Sequence, residues 1–120
     1  MKGVEIARSV KTDFILAVGG GSVIDGTKFI ASAVSYEGDP WEILMTYGSK
    51  IKSAFPFGTV LTLPATGSEM NSSSVITNKT LHAKLPFSNP LVYPVFSVLE
   101  PETTYTLPPK QIGNGVVDTF

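Results

Sequence analysis

Three glycines in a row, Gly19, Gly20 and Gly21, separate an apolar run from a segment of helical pattern, and Ser22 follows them. Residues of these types in this order suit the binding of a phosphate group. The first N–H groups of a helix have no partners inside it, and the helix dipole puts partial positive charge there. Glycine turns the chain tightly and leaves no Cβ in the path of a pyrophosphate. Ser22 adds a hydroxyl that could cap the helix or meet the anion. A plainer reading uses the same residues. Ser22 and Asp25 have capping-box spacing, in which the acid three residues on returns a hydrogen bond to the cap. The turn then only joins a strand to a helix. The pattern is not the dinucleotide fingerprint G-x-G-x-x-G, so this stretch alone leaves both readings open.

A second polar stretch, LTLPATGSEMNSSS, occupies residues 61–74. Thr62, Thr66, Ser68 and Asn71 offer short uncharged donors and acceptors just after a strand, where open α/β sheets bind their ligands. Such groups match the ribose, amide and phosphate oxygens of a nucleotide. They also match a loop that satisfies its own backbone.

The elements that must position these residues follow from the apolar pattern. Residues 3–10 read as an amphipathic helix through Val4, Ala7 and Val10. Phe14–Val18 is an unbroken apolar run ended by glycine, as in a parallel strand buried on both faces. Ser22–Ser35 reads as a helix whose stripe is Val23, Thr27, Ile30 and Val34. Asp39-Pro40 opens a short helical piece through Trp41, Ile43 and Leu44. Thr59–Leu63 is a second buried strand and Val95–Leu99 a third, with a short strand at Ser74–Thr77. Pro108-Pro109 starts a last helix carrying Ile112 and Val116. Helices and buried strands in this order predict an α/β layer structure.

The bulk figures narrow the class. The 120 residues suffice for one domain; 42% are apolar and 16% charged, as in a chain with a packed core. A net charge of −1 gives no reason to expect nucleic acid or an anionic membrane surface as partner. No apolar run is long enough to span a bilayer, and the charged start makes no secretory leader. The chain has no cysteine, which removes disulfides and thiolate metal sites and suits a reducing, cytoplasmic setting.

Six stretches, DFILAVGGGSVIDGTKFIA, DPWEIL, LTLPATGSEMN, PVFSVLEP, YTLPPKQ and GNGVVDTF, occur in an order that resembles the iron-containing (group III) alcohol dehydrogenases. The resemblance is to their butanol dehydrogenase and NADPH-dependent aldehyde reductase branch. The glycerol dehydrogenase and dehydroquinate synthase group shares a GGGS-like loop but differs in the TGSE region. The resemblance implies a Rossmann-like N-terminal domain of the dehydroquinate-synthase-like fold, here incomplete at both ends. Residues 1–120 would then be a partial nucleotide-binding unit, and Pro108–Phe120 would lead toward a helical, metal-binding domain.

What the resemblance implies for single residues is specific. Gly20, Gly21, Ser22 and Asp25 match the loop that holds the pyrophosphate of NAD or NADP. Thr62, Thr66, Ser68 and Asn71 match the loop facing its ribose and nicotinamide, and Lys84 matches a lysine that reaches the cofactor. Asp118 matches the first of four ligands to Fe(II) or Zn(II). The next ligand, a histidine four residues on, would lie past Phe120, and two more would follow in the helical domain. The substrate would be a small alcohol or aldehyde and the full-length protein a homo-oligomer. This chain alone would be inactive, because a catalytic metal site needs about three protein ligands and His82, the single histidine, matches none of them.

Overall fold

The architecture is a three-stranded parallel sheet and a two-stranded antiparallel hairpin with one long helix packed between them. The computed structural model describes residues 1–120. In chain order the elements are α1 (Lys2–Ser9), β1 (Ile15–Gly20), α2 (Gly21–Val34), α3 (Trp41–Met45), β2 (Phe57–Leu63), β3 (Ser73–Asn78), β4 (Ala83–Ser88), β5 (Phe96–Val98) and α4 (Pro109–Thr119). The sheet runs β1-β2-β5, with β2 central, and β3 pairs with β4. Ala17 lies beside Thr59 and Val18 beside Val60, and Thr59 in turn lies beside Ser97.

Helix α2 fills the space between the two sheets, which explains its composition. Towards the parallel sheet, Ile24 packs with Ala17 and Leu61. On its remaining sides Phe29, Ala31 and Ala33 join Val4, Ile43, Leu44, Ile51, Phe57, Phe87 and Val92 in the main core. The Phe29 and Phe87 rings meet edge to face at 6.5 Å, a favoured aromatic geometry. The C-terminus of α2 is closed by α1. The Arg8 guanidinium donates to the carbonyls of Val34, Ala33 and Tyr36 at 3.0, 2.8 and 2.9 Å. A cation at that end also complements the helix dipole.

Several expectations are corrected here. The outer strands β1 and β5 are not buried on both faces, unlike the central β2. One face of the parallel sheet packs on α2, while Leu16 and Val18 on β1 and Phe96 and Val98 on β5 are 54%, 57%, 46% and 42% exposed. An unbroken apolar run reports apolar neighbours on both faces, but it does not supply them. The buried face of α2 is broader than the expected stripe. Ile24, Lys28 and Ala31 are fully buried, whereas Val23 is exposed. A helix wedged between two sheets needs more than one apolar stripe. Val10 lies just beyond α1 and is exposed. In α4, Ile112 and Val116 are exposed, and the buried position is Gly115. A Cβ there would stand 2.8 Å from the Pro64 carbonyl oxygen, so glycine lets the helix lie directly on the end of β2. The hairpin partner β4 has no clean alternating signal because Pro86 interrupts it, a residue that edge strands tolerate.

Candidate nucleotide-binding site

The turn between β1 and α2 carries the first group of candidate residues. Gly20 is the extended residue before the helix (φ −88°, ψ −170°), and the helix begins at Gly21 with no side-chain cap. Ser22 is therefore the second helical residue and not the cap, and it is exposed. The capping box does not form: the Asp25 carboxylate turns to other partners. The N–H groups of the first turn of α2 consequently stay open at the carboxyl end of the sheet.

The second candidate loop leaves β2 beside this turn. Gly19 pairs with Leu61 and Gly20 with Leu63, so a bulge sets half-buried Thr62 opposite the glycines. Thr66 leans on the helix start, and a Cβ on Gly21 would collide with its hydroxyl oxygen. Gly20, Gly21, Ser22, Thr62 and Thr66 thus form one lip at the end of the sheet. An apolar cleft of about 360 Å³ adjoins it, lined by Leu63, Pro64, Leu107, Ile112, Gly115 and Val116 among others.

Asp25, Ser68 and Asn71 do something different: they turn inward to one another. Ser68 is 2% exposed, and its hydroxyl donates to Asp25 Oδ1 at 2.7 Å. Asp25 Oδ2 accepts from the Val75 N–H at 2.9 Å, and the Asp25 carbonyl accepts from the Ser74 hydroxyl. Asn71 Oδ1 accepts from the Ser73 N–H, and its amide donates to the Gly67 carbonyl, both at 2.9 Å.

The centre of this network is a residue that sequence reading passed over. Lys28 is completely buried. Its ammonium donates to Ser68 Oγ at 2.9 Å, Asn71 Oδ1 at 3.0 Å and the Ser73 carbonyl at 2.7 Å. Burial pushes this ammonium down from its usual 10.5 to about 8, against the opposing pull of Asp25 and Glu69. Glu69 keeps one carboxylate oxygen, Oε2, buried without a hydrogen-bond partner. The loop is also tied to the sheet, since the Ser97 hydroxyl donates to the Glu69 carbonyl at 2.6 Å and accepts from Thr59 at 2.9 Å. One signal was available in advance: Lys28 falls three residues after Asp25, on the same helix face, inside an otherwise apolar segment.

Lys84 lies on β4 opposite Thr77, and its side chain is exposed. Asp118 is exposed near the end of α4, and His82 is exposed in the hairpin turn. No three His, Cys, Asp or Glu side chains of this chain come together as a metal-binding group. A metal therefore does not fit these residues alone. A dinucleotide phosphate suits the site better: the start of α2 has no side-chain cap, Gly20 and Gly21 put no side chain in front of it, and Ser22 is exposed beside it.

Parallel strands, a glycine turn into a helix and polar groups at the carboxyl end of the sheet define the class: an α/β unit with its ligand edge at the ends of the strands. Comparison with known proteins narrows this. The family model for iron-containing alcohol dehydrogenase matches residues 1–101, and the chain belongs to that family. It is 59% identical to the NADPH-dependent aldehyde reductase YqhD of Escherichia coli, covering 100% of this chain and 32% of that protein. The crystal structure of that protein superposes with a TM-score of 0.97 over 98% of this chain. The probable NADH-dependent butanol dehydrogenase 1 of Bacillus subtilis is 55% identical over 98% of this chain and 30% of its own length. The crystal structure of NADH-dependent butanol dehydrogenase A from Thermotoga maritima gives a TM-score of 0.92 at 41% identity, covering 98% of this chain and 29% of that one. The chain spans about a third of the length of the relatives it matches. No helix is long and apolar enough to cross a membrane.

Proposed function

We infer that this chain is the cofactor-holding part of a metal-dependent, NAD(P)-linked alcohol dehydrogenase or aldehyde reductase of butanol dehydrogenase type. The carrying observation is the uncapped start of α2 behind the glycine turn, with Thr66 set against Gly21. In this reading the first N–H groups of α2 bind the cofactor pyrophosphate and Ser22 adds its hydroxyl. Thr62 and Thr66 orient the sugar and nicotinamide end toward the apolar cleft. Asp25, Ser68 and Asn71 brace the loop that carries Thr66. Lys84 reaches the cofactor from the hairpin. When bound, the dinucleotide would supply or accept hydride, and iron or zinc held by the full-length protein would polarise the oxygen of a primary alcohol or aldehyde. Asp118 offers one carboxylate to that metal, and the remaining ligands come from residues outside this chain, in a helical domain that Pro108–Phe120 leads into. The full-length protein is then a cytoplasmic homo-oligomer, and these 120 residues alone do not turn over.

A second reading is a nucleotide-binding piece without catalysis. The deciding experiment uses the full-length polypeptide that carries this segment. Titration with NADPH and NADH is followed by assay of butanal reduction with and without added Fe(II) or Zn(II). Binding with metal-dependent turnover supports the enzyme; binding without turnover supports the second reading. Absence of binding overturns both.

A further inference from the structure

Lys28 lies in the middle of α2, two turns past Gly21 and so about 10 Å further along the helix axis. An ammonium has three N–H donors and no acceptor. All three donors are used, and all three acceptors, Ser68 Oγ, Asn71 Oδ1 and the Ser73 carbonyl, belong to one six-residue stretch of the loop after β2. The side chain is fully buried. Lys28 therefore has neither a free donor nor a path to an anion at the start of α2, although a lysine this close to a glycine turn invites that reading.

Its contacts connect instead to the lip. The stretch it holds begins two residues after Thr66, and the Ser68 N–H donates to Thr66 Oγ1 at 3.3 Å. Asp25, one turn before Lys28, grips the same stretch through Ser68, Ser74 and Val75. Ser97 grips its opposite side. The loop has few apolar anchors of its own, since Thr66 and Met70 are exposed. Its height above α2 is thus set by polar bonds, and Lys28 supplies three of them.

We propose that Lys28 is a positioning residue: from inside the protein it fixes the 66–73 loop so that Thr66 stays over the start of α2, and it thereby sets dinucleotide affinity without touching the ligand. The proposal rests on the cofactor-binding reading given above.

The test compares the full-length protein with its Lys28→Met variant, which keeps the stem and removes the donors. Calorimetric titration with NADPH and NADH should show affinity weakened by roughly tenfold or more, as loss of an outer partner of a binding group typically gives. The turnover number at saturating cofactor should change much less. Amide hydrogen exchange should accelerate at Ser68, Ser73 and Val75 and stay unchanged at the core amides of α2. A purely structural lysine would lower the melting temperature but leave both cofactor affinity and the local exchange pattern of the folded protein as they were. That outcome overturns the proposal. If Lys28→Met does not fold, Lys28→Gln, which retains an amide donor, is read by the same two measurements. Unaltered affinity in it overturns the proposal equally. Failure of the unsubstituted protein to bind either dinucleotide sinks the cofactor reading itself, a result separate from any effect of the variants.

Discussion

The two ends of α2 are treated in opposite ways. At the C-terminus, Arg8 reaches across from α1 and donates to three carbonyls, two of them from the last helical turn, so the end is closed by charge and hydrogen bonds. At the N-terminus there is no side-chain cap, although Ser22 and Asp25 stand nearby with the right chemistry to make one. Asp25 is drawn away to Ser68 and Val75. A helix end left open in the same element whose other end is carefully closed is an end kept for something else. Unpartnered N–H groups with a positive dipole behind them are what an anion needs.

This contrast can be broken at either end. The largest effect is expected at the open end. Gly21→Val drives a side chain into Thr66 and across the phosphate path, and dinucleotide affinity of the full-length protein should fall on the order of 100-fold. Titration calorimetry measures this directly, and wild-type affinity in a folded variant would remove the glycine turn from the site. At the closed end, Arg8→Ala should cost about 1–3 kcal/mol of stability through the lost charged hydrogen bonds. Denaturant melts read that loss, and dinucleotide affinity should stay within about twofold, since Arg8 lies far from the turn. Affinity that falls with stability would mean that the two ends are not independent.

Between the ends, the Lys28 ammonium makes stability depend on pH. Its value in the folded protein, about 8, lies below its ordinary 10.5. Between these values the unfolded chain binds more protons, so the Lys28 contribution makes the fold more stable as pH rises from about 8 to 10.5. Its unfavourable charging is fully present below 8. NMR of 13Cε-labelled lysine should show one resonance titrating near 8, apart from the exposed lysines. If every lysine titrates near 10.5, the ammonium is not desolvated. The smallest effect belongs to Ser22→Ala. A true cap would cost about 1 kcal/mol on removal. An exposed second-position serine should leave the melting midpoint unchanged and weaken dinucleotide binding only a few-fold.

Much of the candidate site's local geometry was legible because it depends on local chemistry. Three glycines between a strand and a helix, and a polar loop directly after the next strand, specify a turn and a ligand edge by backbone freedom and order alone. What misled was any inference that needed to know what lies across from a residue. Ser68 and Asn71 have the same chemistry as Thr62 and Thr66, and only packing turns the first pair inward and leaves the second pair at the lip. The capping box failed for that reason: Asp25 found a serine hydroxyl and a strand N–H from the hairpin, partners 43 and 50 residues away.

By itself the sequence determined the alternation of helices and strands, the glycine turn, the absence of thiol chemistry and membership in a dehydrogenase family. Each of these is written in residue type and spacing along the chain. The tertiary structure alone decided which face of each strand is covered, that α2 lies between two sheets, and that Lys28 is a buried tether. The reason is physical: a buried lysine is tolerated only where its three donors meet three acceptors. Those acceptors, 40 to 45 residues away, are brought to it only by the fold.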